Sequence, residues 1–133
     1  MRAVDSPVPC PCGRRAGYAT CCGPLHEGGV AADAESLMRS RYCAYVLKRE
    51  DYLLSTWHPD TRPPRLDLAV QQPEPRWLGL DVKRHEVRGD EAIVEFVARL
   101  RHGGGKAQRM HEVSRFVREG GRWFYVDGEF PDD

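Results

Sequence analysis

Between residues 92 and 101, apolar and polar side chains alternate. Ala92, Val94, Phe96, Ala98 and Leu100 fall on one face of an extended chain, while Glu95, Arg99 and Arg101 fall on the other. This period of two predicts a strand over Ala92–His102 with one face covered. Trp77–Val87, Lys106–Glu119 and Arg122–Gly128 also read as strands. The turns between the four, Arg88-Gly89-Asp90, Gly103-Gly104-Gly105 and Gly120-Gly121, are of the kind that close antiparallel hairpins. Upstream the period lengthens. Leu37, Met38, Tyr42, Tyr45 and Val46 recur at spacings of three and four, which predicts an amphipathic helix from an N-cap at Asp33 to about Lys48. A shorter helix is predicted from Asp51 to Trp57, ending at His58-Pro59, where the proline disfavours helix in its predecessor. Pro59, Pro63, Pro64, Pro73 and Pro75 turn the next stretch into a long surface crossing with room for one helical turn, around Leu66–Gln71. Helices first and a strand meander afterwards give an α+β class, with helices laid against one face of a curved sheet.

Residues 1–32 have no such period and are rich in Cys, Pro and Gly, so they read as a loop-built module ahead of a main domain over 33–133. Four of the chain's five cysteines lie here, as Cys10, Cys12, Cys21 and Cys22. Two close pairs of soft ligands joined by a short glycine-containing loop suit tetrahedral Zn²⁺. Two disulfides, a redox pair at Cys21-Cys22 and free thiols are the alternatives. A bridge between adjacent cysteines closes a strained ring, and a reducing compartment disfavours permanent bridges. With four cysteines no coordination position stays open for water, so the site reads as structural and not catalytic. Arg14 and Arg15 are placed to offset thiolate charge. His26 is the one residue that could replace a thiolate, and otherwise it reads as solvated. Cys43, inside the first helix, reads as packed and inert.

Charge narrows the partners. Lysine plus arginine and aspartate plus glutamate number 20 each, so no global field attracts nucleic acid or an acidic membrane. Any such contact needs a local patch. Lys83, Arg99, Arg101 and Arg109 form a phosphate-contacting stripe on the outer sheet face if the hairpins pair in register. The competing reading is a solvated face balanced by Glu86, Glu91 and Glu95. No apolar run approaches the ~20 residues of a membrane span. Met1–Pro9 lacks a signal-peptide core, which makes the cytoplasm the expected location.

The spacing Cys-x-Cys-x8-Cys-Cys resembles the SEC-C zinc motif, found at the end of the bacterial preprotein translocase ATPase, with every ligand position filled. The segments Leu37–Tyr45, Asp51–Pro59, His111–Phe116 and Trp123–Gly128 are similar to the uncharacterised bacterial YchJ-like family. That resemblance covers nearly the whole chain and implies a SEC-C-type zinc knuckle followed by an NTF2-like α+β cone. It also implies, in some members, a second SEC-C segment at the carboxy end, where these residues end at Pro131-Asp132-Asp133 without one. By analogy with the translocase tail, the knuckle is expected to contact a protein or ribosomal partner.

A cone encloses a pocket on its concave face. Met110, Glu112, Ser114 and Phe116 share one face of the third strand, so a concave assignment puts Glu112 and Ser114 inside, with Tyr42, Tyr45, Trp57 and His58 at the mouth. Glu112 is then the one candidate catalytic carboxylate. A single carboxylate is thin support for acid-base chemistry, and the preferred reading is a polar network in which Arg39 or Arg41 supplies charge to Glu112 and Ser114 satisfies a backbone group. Trp57, Trp77, Phe96, Phe116, Trp123 and Tyr125 read as core. The preferred function is therefore a zinc-containing binding or adaptor protein. The alternative is a small-molecule binder or enzyme working around Glu112.

Overall fold

The alternation over Ala92–His102 belongs to an inner strand of a single antiparallel sheet. A computed structural model describes residues 9–70 and 74–131. Its sheet runs β1 (Pro75–Arg88), β2 (Glu91–His102), β3 (Gln108–Glu119) and β4 (Arg122–Glu129), side by side in chain order. Hairpins alone make every connection. Gly120 and Gly121 both take positive φ, 59° and 81°, the conformation a two-residue turn needs to match the strand twist. β3 starts at Gln108 rather than Lys106, because Lys106 is spent in the glycine loop that precedes it.

Register shifts fall between Trp77 and Gly79, between Val82 and Arg84, and between Arg115 and Phe116. Each adds local twist, and together they curl the sheet toward the helices. The first helix, after the short α1 (Cys22–His26), is α2 (Ala34–Val46). Asp33 caps it, accepting from the Ser36 N–H at 2.8 Å. It stops before Lys48, whose φ of 58° is left-handed. Leu37, Met38 and Tyr42 pack on Val94, Phe96, Phe116 and Trp123 in the main core.

α3 spans Glu50–Ser55, shorter at its end than the apolar pattern predicts. The cause is pairing with β4: the His58 N–H donates to Tyr125 O at 2.7 Å, and the Tyr125 N–H donates to Thr56 O at 2.9 Å. The Glu50 carboxylate then ties down the crossing by accepting from the N–H groups of Leu66 and Leu68, each at 3.0 Å. The turn expected around Leu66–Gln71 is a 3-10 turn at Leu68–Val70, and Gln71 lies outside the described residues. Among the described residues no helix is long and apolar enough to cross a membrane.

On the outer face three of the four stripe residues come together, Arg99 opposing Arg109 and Arg101 opposing the further Arg76, while Lys83 sits at a register shift. Acidic groups are interleaved: Asp81 meets Arg99 at 3.2 Å, and Glu86 and Glu95 each meet Arg84 at 3.0 Å. Glu91, also expected among the balancing groups, faces Arg88 beside the first hairpin turn and its charge acts on Arg115.

Candidate metal centre and sheet cavity

The amino-terminal module has two small elements that periodicity could not reveal, a 3-10 turn at Tyr18–Thr20 and α1. A bridge between Pro9 and Gly17, with the Cys10 N–H donating to Ala16 O at 3.0 Å, closes a loop that carries Cys10 and Cys12. Cys21 and Cys22 begin the turn into α1 on the facing side. The four Sγ atoms all lie within 4.8 Å of one another, and Cys12 and Cys21 are 3.6 Å apart. Four sulfurs at ~2.3 Å from one ion stand ~3.8 Å apart, so the cluster has the size of a tetrahedral shell. All five thiols are free, with no disulfide among them.

Without a cation, electrostatics keep the Cys10, Cys12 and Cys22 thiols of this cluster protonated. Burial pushes the Cys10 thiol up, and the hydrogen bond with Cys22, followed by burial, pushes Cys12 up to about 12. Cys22 is raised on balance: its contact with Cys12 acts downward, and contact with Cys43 together with burial outweighs it. Thiolates are the ligating form, so an ion bound here supplies the charge that makes deprotonation favourable.

The module is docked on α2. Cys43 Sγ lies 3.5 Å from Cys10 Sγ, so the fifth cysteine is packed, as its helical position implies, against the cluster itself. His26 is neither ligand nor solvated. It is buried, its Nε2–H donates to the Ser40 carbonyl at 2.9 Å, and its Nδ1 accepts from the Tyr18 hydroxyl at 2.6 Å. The carbonyl can only accept, which fixes the tautomer, and burial holds the ring below its usual pKa. Arg14 turns to Ser36 (3.1 Å) and Glu35 (3.7 Å), and Arg15 is exposed. The arginine that touches the ligand loop is Arg39, whose Nη1 donates to the Cys12 carbonyl at 2.8 Å.

On the other side of α2, the concave face of the sheet forms a cavity of about 280 Å³ that opens to solvent past the exposed Phe130. Tyr42, Tyr45, Trp57, Glu112 and Ser114 all line it. His58 does not. The pairing of residues 56–58 with β4 turns His58 toward Glu119, 2.9 Å from its Nε2, while its Nδ1 accepts from the Asp60 N–H. Glu112 Oε2 accepts from Ser114 Oγ at 2.7 Å and from the Tyr125 hydroxyl at 2.9 Å. Of the two expected arginines, Arg39 pairs with Glu35 instead, whereas Arg41 makes no close ion pair with Glu112 but interacts with its charge, and Ser114 serves this carboxylate and not a backbone group. Burial, reinforced by that carboxylate, raises the Tyr125 phenol. Gly128 faces the network without a side chain, and any Cβ there would collide with Glu112.

Arg41 is the residue that sequence reasoning placed incompletely. It is 5% exposed, its Nη1 donates to Leu53 O at 2.8 Å and Thr56 Oγ1 at 2.6 Å, and its Cζ stacks 4.5 Å from the Tyr125 ring centre. Burial lowers its pKa. The signal was available: Arg41 shares the helical face of Met38, Tyr42 and Tyr45, so a charge stood at a core position.

The profile of a family described as YchJ, middle NTF2-like domain, matches residues 33–128, which takes in α2, α3 and all but the last residue of the sheet. The chain belongs to the YchJ family. A UPF0225 protein of Xanthomonas campestris pv. campestris is 58% identical over 120 residues, covering 90% of this chain and 92% of the relative. One from Bordetella parapertussis is 55% identical over 129 residues, covering 94% and 95%. Among solved structures, a SEC-C motif containing protein from Rhodopseudomonas palustris superposes with a TM-score of 0.83 at 42% identity, covering 94% of this chain and all of that one. Another from Psychrobacter arcticus gives 0.75 at 29%, covering 95% and 84%. The YchJ-family chain therefore has a SEC-C-type cysteine knuckle followed by an NTF2-like domain, with a cysteine cluster that could hold a metal ion.

Proposed function

We propose that this YchJ-family chain is a small-molecule-binding protein, in which one zinc ion held by Cys10, Cys12, Cys21 and Cys22 is a structural staple and the sheet cavity is the binding site. The observation that carries the reading is the cavity itself. A polar network serving only to orient helix on sheet leaves the interior filled. Here about 280 Å³ stays open, and Arg41 and Glu112 stand in a largely aromatic and aliphatic wall. Apolar walls with a few convergent polar groups are the pattern of ligand sites. Zinc is favoured over other ions because four sulfurs form a soft, closed, tetrahedral donor set.

A second reading, contact of the knuckle with a protein or ribosomal partner, draws support from the exposed Gly13–Ala16 tip bearing Arg14 and Arg15. The two readings are compatible, since the tip and the cavity occupy different parts of the chain.

Tryptophan side-chain N–H resonances test the cavity reading. Of the three tryptophans, Trp57 and Trp77 line the cavity and Trp123 does not. Titration with phenylacetamide, a small neutral aromatic probe, is expected to shift Trp57 and Trp77 and leave Trp123 in place. Its dissociation constant should be about 1 mM, the value fitting a ligand of this size. Shifts absent at Trp57 and Trp77 up to the probe's solubility limit would overturn the reading.

A further inference from the structure

Arg41 holds the chemistry that the cavity reading leaves unassigned. Both N–H donors of its Nη1 are used, one on Leu53 O and one on Thr56 Oγ1. Among the described residues its Nε and Nη2 have no hydrogen-bond partner, and they are not among the fully buried side-chain atoms that lack one. The free Nε–Nη2 edge of a guanidinium presents two parallel N–H groups, the spacing that matches the two oxygens of a carboxylate. The edge belongs to a residue in the cavity wall, stacked against Trp57 and Tyr125 with its Cζ 5.1 Å and 4.5 Å from their ring centres. These contacts and the α3 hydrogen bonds hold the fork in one orientation before any ligand arrives, which removes part of the ordering cost of binding. Beside it, the Trp57 Nε1–H is buried with no partner among the described residues, a second donor lacking an acceptor.

Resting on the cavity reading, we infer that the site takes a small aromatic or branched aliphatic monocarboxylic acid, its carboxylate bidentate on the Nε–Nη2 edge of Arg41 and its apolar body against Trp77, Phe96 and Met110. A phosphate fits less well. Its second charge would find no second cation, since Arg41 is the one basic residue among those lining the cavity and Glu112 adds a carboxylate. Glu112 sets the limit on affinity. Its carboxylate lines the same cavity, and although Ser114 and Tyr125 occupy its Oε2, its charge opposes a second anion.

The pair phenylacetate and phenylacetamide has one shape and differs in charge, so it isolates the inference from the cavity reading. On the full chain with its metal, phenylacetate is expected to bind about tenfold tighter than the amide and to shift the Arg41 Nε–H resonance, which the amide leaves unmoved. Arg41→Met should equalise the two probes. Because that change removes the Arg41 donor from both Leu53 O and Thr56 Oγ1 and the variant can misfold, Glu112→Gln provides a second test. It should tighten phenylacetate several-fold and leave the amide unchanged. Equal affinities on the wild-type chain, both probes shifting Trp57 and Trp77, would overturn the acid assignment while the cavity reading stood. Failure of both probes to shift those two tryptophans would end both.

Discussion

Cys12→Ser is expected to abolish metal binding at the knuckle and to lower the stability of the whole chain. Cys12 is fully buried, and its sulfur lies 3.6 Å from Cys21 Sγ at the heart of the cluster. A serine hydroxyl is a poor zinc ligand, and three thiolates without the fourth leave the shell open to water. Among the described residues the module has no apolar core beyond its cysteines, Cys43 and the flanking Tyr18, so an ion bound by the cluster would supply nearly all the free energy that shapes it. The loss then reaches α2, because the Cys10–Cys43 contact and the His26–Ser40 hydrogen bond depend on a formed knuckle. Of the ~10–16 kcal/mol that a structural zinc contributes in finger peptides, on the order of 5 kcal/mol should appear as lost stability here, the rest being spent on ordering the module. Hydrogen exchange should show protection vanishing over Cys10–His26 first. Cys43→Ser is the control: it should keep the metal and cost only about 1–2 kcal/mol for burying a hydroxyl. A Cys12→Ser chain that retains its metal and melts with the wild type would contradict the assignment.

Phe116→Ala should cost about 3–5 kcal/mol, the penalty for emptying a well-packed aromatic position. Phe116 is 1% exposed on β3, opposite Ala92 on one side and Tyr125 on the other, with its ring 5.7 Å from that of Tyr125. It belongs to the core with Leu37, Val94 and Trp123. It also lines the cavity, so truncation extends an existing space that the surroundings cannot close by collapse. Against a total stability of ~5–15 kcal/mol this is a large fraction, equivalent to a fall of about 10–20 °C in Tm. Phe130, at the cavity mouth and 62% exposed, gives the contrast: Phe130→Ala should stay within about 0.5 kcal/mol of wild type. Urea unfolding of both variants checks the pair, and a Phe116→Ala chain within about 1 kcal/mol of wild type would show that the core lies elsewhere.

What the sequence disclosed followed from period. Alternation over Ala92–Leu100 identified the covered face, and the same rule applied to β3 put Glu112, Ser114 and Phe116 on one side, where the cavity lies. The cysteine spacing identified four sulfurs that the fold brings within 4.8 Å of one another. What stayed hidden depended on contacts between distant segments. Its place after α3 puts His58 at the mouth in the sequence pattern, but the backbone exchange with Tyr125 rotates that segment toward Glu119. His26 reads as a loop residue because α1, only five residues long, has no apolar repeat, and its partner Ser40 becomes a neighbour only when the knuckle docks. Cys43 finds Cys10 in the same way. Arg41 was visible as a charge on an apolar helical face. Which edge of its guanidinium is used depends on Leu53 and Thr56 of the α3 turn, a tertiary fact with no trace in spacing.

Zinc K-edge X-ray absorption, with elemental analysis of the untagged protein, bears most directly on the metal site. One zinc per chain with four sulfurs at about 2.3 Å is the expected result. A metal-free sample of full stability, or a shell containing nitrogen or oxygen in place of a sulfur, would contradict it.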